Sequence, residues 1–527
     1  MYKFLIVALT FLFAQYGFSQ VVINEYSCAN SSAAGLSDSF GEREDWVELF
    51  NTTGAAIDLN GYHLSDKSGN ITKFQIPSSI IIPAGGYVMV FGSGRALVAG
   101  GSEIHTSFKW TQTRFEKIIL SDGLANVLDS LTIIPNQHLH SRGRTASGAS
   151  TWNVFTNPTP NTSNVGAQQE YATTPTISVA AGFYAAAQSV AITTPDPNVT
   201  IRYTTNGSEP TGASFAYSGP INIAATTVLR AKCFSATANI PPSFIETNTY
   251  FINSSHTIPV VSISGDDIAT LLGGVQIISK GAIEYFDENG IMQTEGTGTY
   301  DKHGNDSWFY AQRGVDFVMK DQYGYNYALQ NQLFANKTRD KFQRIILKAG
   351  ASDNYPFEGT PGANYPGELG GAHIRDSYVQ ALSQNGDLHL DERTHQSCIL
   401  YMNGLYWGVY EIREKVDDSD FLDYYYGQDE EWTDSPNHIQ YLKTWGGTWE
   451  KYGAPNAQND WDALLNFVQT NNMAIPANFT YVSSQYKWKS LVDYFVLNSY
   501  ILNQDMLNWN TSWWRGLDTA GSKLKWR

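Results

Sequence analysis

After its first twenty residues the chain is dominated by short runs of alternating apolar and polar residues, cut by clusters of Gly, Asn, Asp and Pro. Val22-Ile-Asn-Glu25, Asp45-Trp-Val-Glu-Leu-Phe50, Tyr62-His-Leu64 and Tyr87-Val-Met-Val-Phe91 follow this pattern. Period two puts alternate side chains on opposite faces of a strand, so the rhythm predicts a β-sandwich over residues 20–164. Residues 165–174 are small and polar and read as a linker. Residues 175–253 predict a second sandwich, with Asn206-Gly207 as a hairpin turn because this pair tolerates positive φ. At 527 residues the chain is too long for one core, which leaves 256–527 for at least one further domain.

Residues 1–19 read as a secretion signal. Lys3 gives a basic start, Phe4 to Phe13 is apolar, and Gly17-Phe-Ser19 offers a small-residue cleavage site before Gln20. The apolar run is too short to span a bilayer, and no other run suggests a transmembrane segment. The expected location is therefore secreted or cell-surface. Cys28, Cys233 and Cys398 fall in different domains and imply no disulfide framework. A net charge of −16 without a basic patch argues against a nucleic-acid partner. Glu25, Asp45 and Glu48 read either as cation ligands or as solvated carboxylates.

The chemistry concentrates further along the chain. Asn403-Gly404 is a hairpin signal, and the run after it reads as a strand that puts Glu411, Arg413 and Lys415 on one face. Such a row suits either a phosphate-handling site or a solvated strand face, and spacing alone leaves both open. Trp488, Leu491, Val492, Phe495 and Leu502 recur at helical steps, so a helix is expected to deliver Asp505 into a loop at its C-terminal end. Asn510 follows at the offset that protein kinases use between a catalytic-loop aspartate and a metal-holding asparagine, a spacing that also occurs by chance. Glu295-Gly-Thr-Gly-Thr-Tyr300 and Gly367-Glu-Leu-Gly-Gly371 match no phosphate-cradle template and read as loops. Residues 351–371 read as a long loop bordering a substrate cleft. No zinc motif, Gly-x-Ser-x-Gly elbow or glycosidase carboxylate pair is evident.

From about Ile258 onward the chain resembles the CotH kinase family, the atypical kinases related to spore coat protein H. The likeness rests on Pro259-Val-Val-Ser-Ile263, Gln312-Arg-Gly-Val-Asp-Phe317, Phe342-Gln-Arg-Ile-Ile-Leu-Lys348, His373-Ile-Arg-Asp376, the Asn403 to Lys415 block, and Asp505 with Asn510. The resemblance implies transfer of the γ-phosphoryl group of ATP, with Mg²⁺ or Mn²⁺, to a protein hydroxyl. Asp505 would be catalytic and Asn510 a metal ligand. Arg313 or Lys348 would meet the nucleotide phosphates, with Glu411 or Glu414 as the ion-pair partner of that cation. Period two puts the two glutamates on opposite faces, so one of them qualifies. The family also carries a Trp-Asp-x-Asp metal motif beyond the asparagine. This sequence stops at Lys523-Leu-Lys-Trp-Arg527, so the domain reads as C-terminally incomplete, with Asp518 a poor substitute.

The first sandwich resembles a lamin-tail domain, through Ile23-Asn-Glu25, Trp46-Val-Glu-Leu49, Asp58-Leu-Asn-Gly-Tyr62, Ile82-Pro-Ala-Gly-Gly86 and Asn157-Pro-Thr-Pro160. The second resembles the chitobiase/β-hexosaminidase C-terminal-type domain, through Thr200-Ile-Arg-Tyr-Thr-Thr-Asn-Gly-Ser-Glu-Pro210 and Thr227-Val-Leu-Arg-Ala-Lys232. Tyr203 and Tyr217 there read as core residues or as glycan contacts. The expected architecture is two all-β immunoglobulin-like sandwiches followed by an α+β atypical protein-kinase-like domain. Two functions follow: phosphorylation of Ser or Thr on extracytoplasmic proteins, or a non-catalytic adhesin or scaffold whose β modules bind carbohydrate or protein.

Overall fold

The computed structural model describes residues 20–353, 373–428, 439–503 and 505–527. The reading of 1–19 as a signal, most of the long loop over 351–371, and Gly367 to Gly371 lie outside them. In the first region, Val21–Ser27 pairs antiparallel with Trp46–Asn51 and Ser141–Arg144 within a seven-stranded sheet. A four-stranded sheet containing His63–Ser65 and Lys117–Ser121 covers it. The inward residues of both, among them Ile23, Val47, Leu49, Leu64, Val90, Ile118 and Leu120, form one core. Glu25 and Glu48 are buried rather than solvated. Glu25 accepts hydrogen bonds from the Thr159 amide and hydroxyl (3.0 and 2.6 Å), and Glu48 accepts from Asn24 Nδ2 (2.7 Å) and the Asn161 amide. These carboxylates thus fasten the segment that begins at Asn157 across the sandwich.

The second region centres on a five-stranded sheet that includes Val199–Thr204, Thr227–Ser235 and Glu246–Ile252. Tyr203 and Tyr217 pack against its core with Leu229, Ala231 and Tyr250. Asn206-Gly207 is not the expected two-residue hairpin, because the strand that returns to Val199–Thr204 is Phe215–Ala216. Gly207 has φ +77°, and a Cβ there would lie 2.4 Å from Asn403 Oδ1. Glycine is required at this point by the close approach of the next region.

That region is built on a closed seven-stranded barrel of Val260–Ser264, Ser279–Phe286, Met292–His303, Gly314–Met319, Arg344–Lys348, Leu405–Glu414 and His395–Met402. Parallel pairing of Val260–Ser264 with His395–Met402 closes it. Closure leaves no unpaired strand edge. Ile263, Ile283, Phe317, Ile345, Leu347, Tyr410 and Ile412 fill the interior. Asn403 (φ 50°) and Gly404 (φ 82°) form the expected tight turn. Glu295 to Tyr300 is not a loop but mid-strand, paired with Ser279–Phe286. A Cβ at Gly298 would lie 2.1 Å from the Val318 carbonyl oxygen, so its glycine serves barrel packing.

Beyond the barrel, Gly447–Gly453, Ile439–Trp445 and Thr511–Gly516 form a three-stranded antiparallel sheet. One face, with Leu442 and Trp513, packs against Trp461, Leu464, Val482 and Tyr486 from helices Ala457–Thr470 and Pro476–Gln485 and the residue after them. The expected helix is Trp488–Tyr500. Leu502 falls outside it, in the left-handed region and exposed.

The second sandwich is fastened to the barrel through a buried carboxylate. Glu284 accepts from the Thr249 amide (2.8 Å) and from the Thr249 hydroxyl. Burial, with smaller contributions from Glu295 and Glu246, pushes its pKa up to about 8 from 4.5. The folded protein therefore retains a proton on Glu284 that the unfolded chain releases, so this group's stabilising contribution is full below pH 4.5 and lost as pH rises toward about 8. Glu284→Gln should flatten that loss, measured as the thermal unfolding midpoint against pH. An unchanged slope would exclude Glu284 as its source.

Candidate active site

A cleft of about 1940 Å³ separates the outer surface of the barrel from the second face of the three-stranded sheet. Its floor follows from strand register. Glu411 and Arg413 lie two apart on Leu405–Glu414, and Lys348 is the cross-strand partner of Glu411, so all three share one face. Arg413 Nε donates to Glu411 Oε2 (2.8 Å) and Nη1 to Asp376 Oδ2 (2.6 Å). Lys348 Nζ lies 3.0 Å from the same Asp376 oxygen. Asp376 comes from the first turn of helix Arg375–Asn385. Burial opposes its ionisation, but the Lys348 and Arg413 charges outweigh this and hold its carboxyl well below the usual range. His373 and His395 are lowered by burial. Lys415, just past the strand end, pairs with Asp316 (2.9 Å).

The opposite wall carries Tyr441, Lys443, Trp445, Trp449, Ser512 and Trp514. Lys443 is in register with Trp449 and Ser512, which places these side chains on one face of the sheet. Asp505 and Asn510 lie in the loop between helix Trp488–Tyr500 and strand Thr511–Gly516, and both line the cleft. Asn510 Nδ2 donates to Asp505 Oδ2 at 3.3 Å, and the Asp505 amide donates to Asn503 Oδ1 at 3.0 Å. Asn510 has φ 56°, a conformation asparagine tolerates better than most residues. The loop thus presents a solvent-accessible carboxylate beside an amide side chain, able to orient a hydroxyl and to offer oxygen ligands to a cation.

The candidate residues divide accordingly. Asp505, Asn510, Lys348 and Glu411 line one cleft. Arg313 is not among its lining residues and is corrected from phosphate ligand to backbone tie. Its Nε donates to the carbonyl of Trp308 (3.0 Å) and its Nη1 to those of Leu272 (2.8 Å) and Ala311 (3.2 Å), which ties backbone segments at the barrel's end. Arg313→Ala should destabilise the barrel by about 1.5–3 kcal/mol, seen by denaturant unfolding. Unchanged stability in that variant would count against the tie. Glu414 is likewise not a cleft residue. It points to the opposite side of its strand, where Arg339 (3.3 Å) and the Tyr425 hydroxyl (2.8 Å) meet it and burial raises its pKa. The ion-pair partner of Lys348 is Asp376 rather than either glutamate. Asp376, within His373-Ile-Arg-Asp376, has no role that its sequence context announces. The aromatic wall gives no clean alternation either, since Tyr441 and Leu442 are adjacent apolar residues followed by the adjacent polar pair Lys443 and Thr444.

Among the described residues no group of three or more His, Cys, Asp or Glu is placed to hold a metal. Asp505 and Asn510 offer a two-residue oxygen donor set. That fits a magnesium-type ion, which takes one or two protein ligands and completes its shell with water and phosphate.

Residues 368–527 match the family model described as CotH kinase protein. Over that stretch the chain is similar to the CotH kinase family. Ahead of it, residues 14–135 match the lamin tail domain model, and 179–243 match the chitobiase/beta-hexosaminidase C-terminal domain model. No curated protein matches the chain. The CotH match includes Asp376, Glu411, Arg413, Asp505 and Asn510, whereas Lys348 precedes it. Strand Arg344–Lys348 is nevertheless hydrogen-bonded to Leu405–Glu414, so the barrel joins Lys348 physically to the CotH region.

Proposed function

We propose that the protein is a secreted or cell-surface atypical kinase that transfers the γ-phosphoryl group of ATP to Ser or Thr of extracytoplasmic proteins. The observation that carries this reading is the convergence of Asp505, Asn510 and Lys348 on one cleft, within and beside the CotH match. Bound ATP and its Mg²⁺ or Mn²⁺ supply the transferred group and neutralise charge on the phosphates. Asp505 accepts a hydrogen bond from the acceptor hydroxyl, orients its oxygen and takes its proton as the bond to phosphorus forms and the bond from the γ-phosphorus to the bridging oxygen of ADP breaks. Asn510 holds Asp505 in place and would offer its side-chain oxygen to the metal. Lys348 meets the phosphates, and Asp376 keeps it extended into the cleft. The N-terminal sequence pattern supports export, and the two β modules offer surfaces for protein or glycan contact.

A scaffold reading draws on one observation: Lys348 and Arg413 are already neutralised by Asp376 and Glu411. Label transfer from γ-labelled ATP to protein acceptors, with Mg²⁺ or Mn²⁺, separates the two. Metal-dependent labelling supports the kinase. Saturable ATP binding without any transfer would leave the scaffold.

A further inference from the structure

Three indoles stand at the Asp505 end of the cleft without a core to cover them. Trp445, Trp449 and Trp509 are 53%, 43% and 36% exposed, and all three line the cleft. Indoles are usually well buried, so three held partly open together mark a surface suited to a ligand. The group is built rather than loose. Trp445 and Trp509 meet edge to face, with centroids 5.0 Å apart at 83°. The Gly446 amide donates to the Asn508 carbonyl (2.6 Å), tying the hairpin tip to the loop that carries Asp505. Gly446 has φ +77°, and a Cβ there would lie 3.4 Å from the Trp509 ring. Trp509 directly precedes Asn510, whose side chain is bonded to Asp505, so the Trp445–Trp509 pair lies beside that carboxylate, and Trp449 shares the sheet face through its register with Lys443.

We propose that Trp445, Trp449 and Trp509 form a specificity subsite for an aromatic or large aliphatic side chain flanking the acceptor Ser or Thr in a polypeptide substrate. This rests on the reading of Asp505 as the residue that receives the acceptor hydroxyl. A polypeptide lying across Asp505 advances about 3.3 Å per residue when extended, so a side chain within a few positions of the acceptor reaches the indoles. The corner left by two perpendicular indoles accommodates a flat or branched apolar group. Lys443 projects from the same sheet face, in register with Trp449, and its ammonium is paired with Asp417 at 2.7 Å.

The test uses the full chain and a pool of short peptides with a fixed central serine and randomised flanks. Peptides retained by the immobilised protein are sequenced, which requires no catalysis. Phe, Tyr, Trp or Leu should be enriched at one flanking position. Trp445→Ala/Trp449→Ala should weaken binding of the selected peptide by about ten-fold or more without lowering the thermal unfolding midpoint, and Trp445→Phe should restore part of it. Enrichment of Lys or Arg, no flanking preference, or the same preference in the double variant would overturn the subsite. So would displacement of the selected peptide by oligosaccharide alone. Selective capture without phosphoryl transfer would retain the subsite and remove the kinase reading, so the two fail separately.

Discussion

Asp505→Asn should reduce phosphoryl transfer from γ-labelled ATP by about 10²–10⁴-fold, the range attached to loss of a positioned general base. The substitution keeps the shape of the side chain and its contact with Asn510, but removes the charge that in the proposed reaction receives the acceptor's proton. Stability should hardly move. Asp505 is exposed, its carboxylate has one 3.3 Å bond from Asn510, and its amide bond to Asn503 does not involve the side chain. Surface changes of this kind usually stay within about 0.5 kcal/mol. The measurement pairs initial rates of transfer with thermal unfolding of both proteins. Equal rates in the two would show that the catalytic carboxylate lies elsewhere. A lost rate accompanied by a lost fold would point instead to a structural role for the loop.

Legibility followed the range of the interaction. The Asn403-Gly404 turn and helix Trp488–Tyr500 are local events, governed by φ preference and by a repeat of three to four residues, and the turn stands where the pattern put it while the helix takes in every position of its pattern but Leu502. The neighbourhood of Asp505 and Asn510 is local too, which is why a five-residue offset could suggest it. Barrel closure is not local. Val260–Ser264 finds its parallel partner in His395–Met402, and nothing in either strand's composition announces the other. Without that closure, Glu295 to Tyr300 looked like a glycine-rich loop, although close strand packing is what selects its Gly298. Sequence left Arg313 and Lys348 unseparated for the same reason. Both are cations beside alternating strands, and only the three carbonyls around one and the cleft around the other distinguish them.

Arg413→Met should be the most destabilising single change in the cleft floor, by about 3–5 kcal/mol. Arg413 is 1% exposed and Glu411 4%, so removing the guanidinium leaves a buried carboxylate with its charged partner gone. Asp376, more exposed and still paired with Lys348, should lose less. Adding Glu411→Leu should recover most of the loss, because exchanging a whole buried ion pair for packed apolar side chains is often neutral or stabilising. The barrel's unfolding should be followed by hydrogen exchange of its strand amides, since a chain with several cores need not unfold in one step. If the single variant is as stable as the parent, water must reach Glu411 and the floor is not dry. If the double variant recovers its fold and still transfers phosphate at the parent rate, the Arg413–Glu411 pair serves architecture alone. Lys348 with Asp376 would then remain in the floor to meet the phosphates. A recovered fold with a raised ATP requirement would instead make Arg413 part of the nucleotide site.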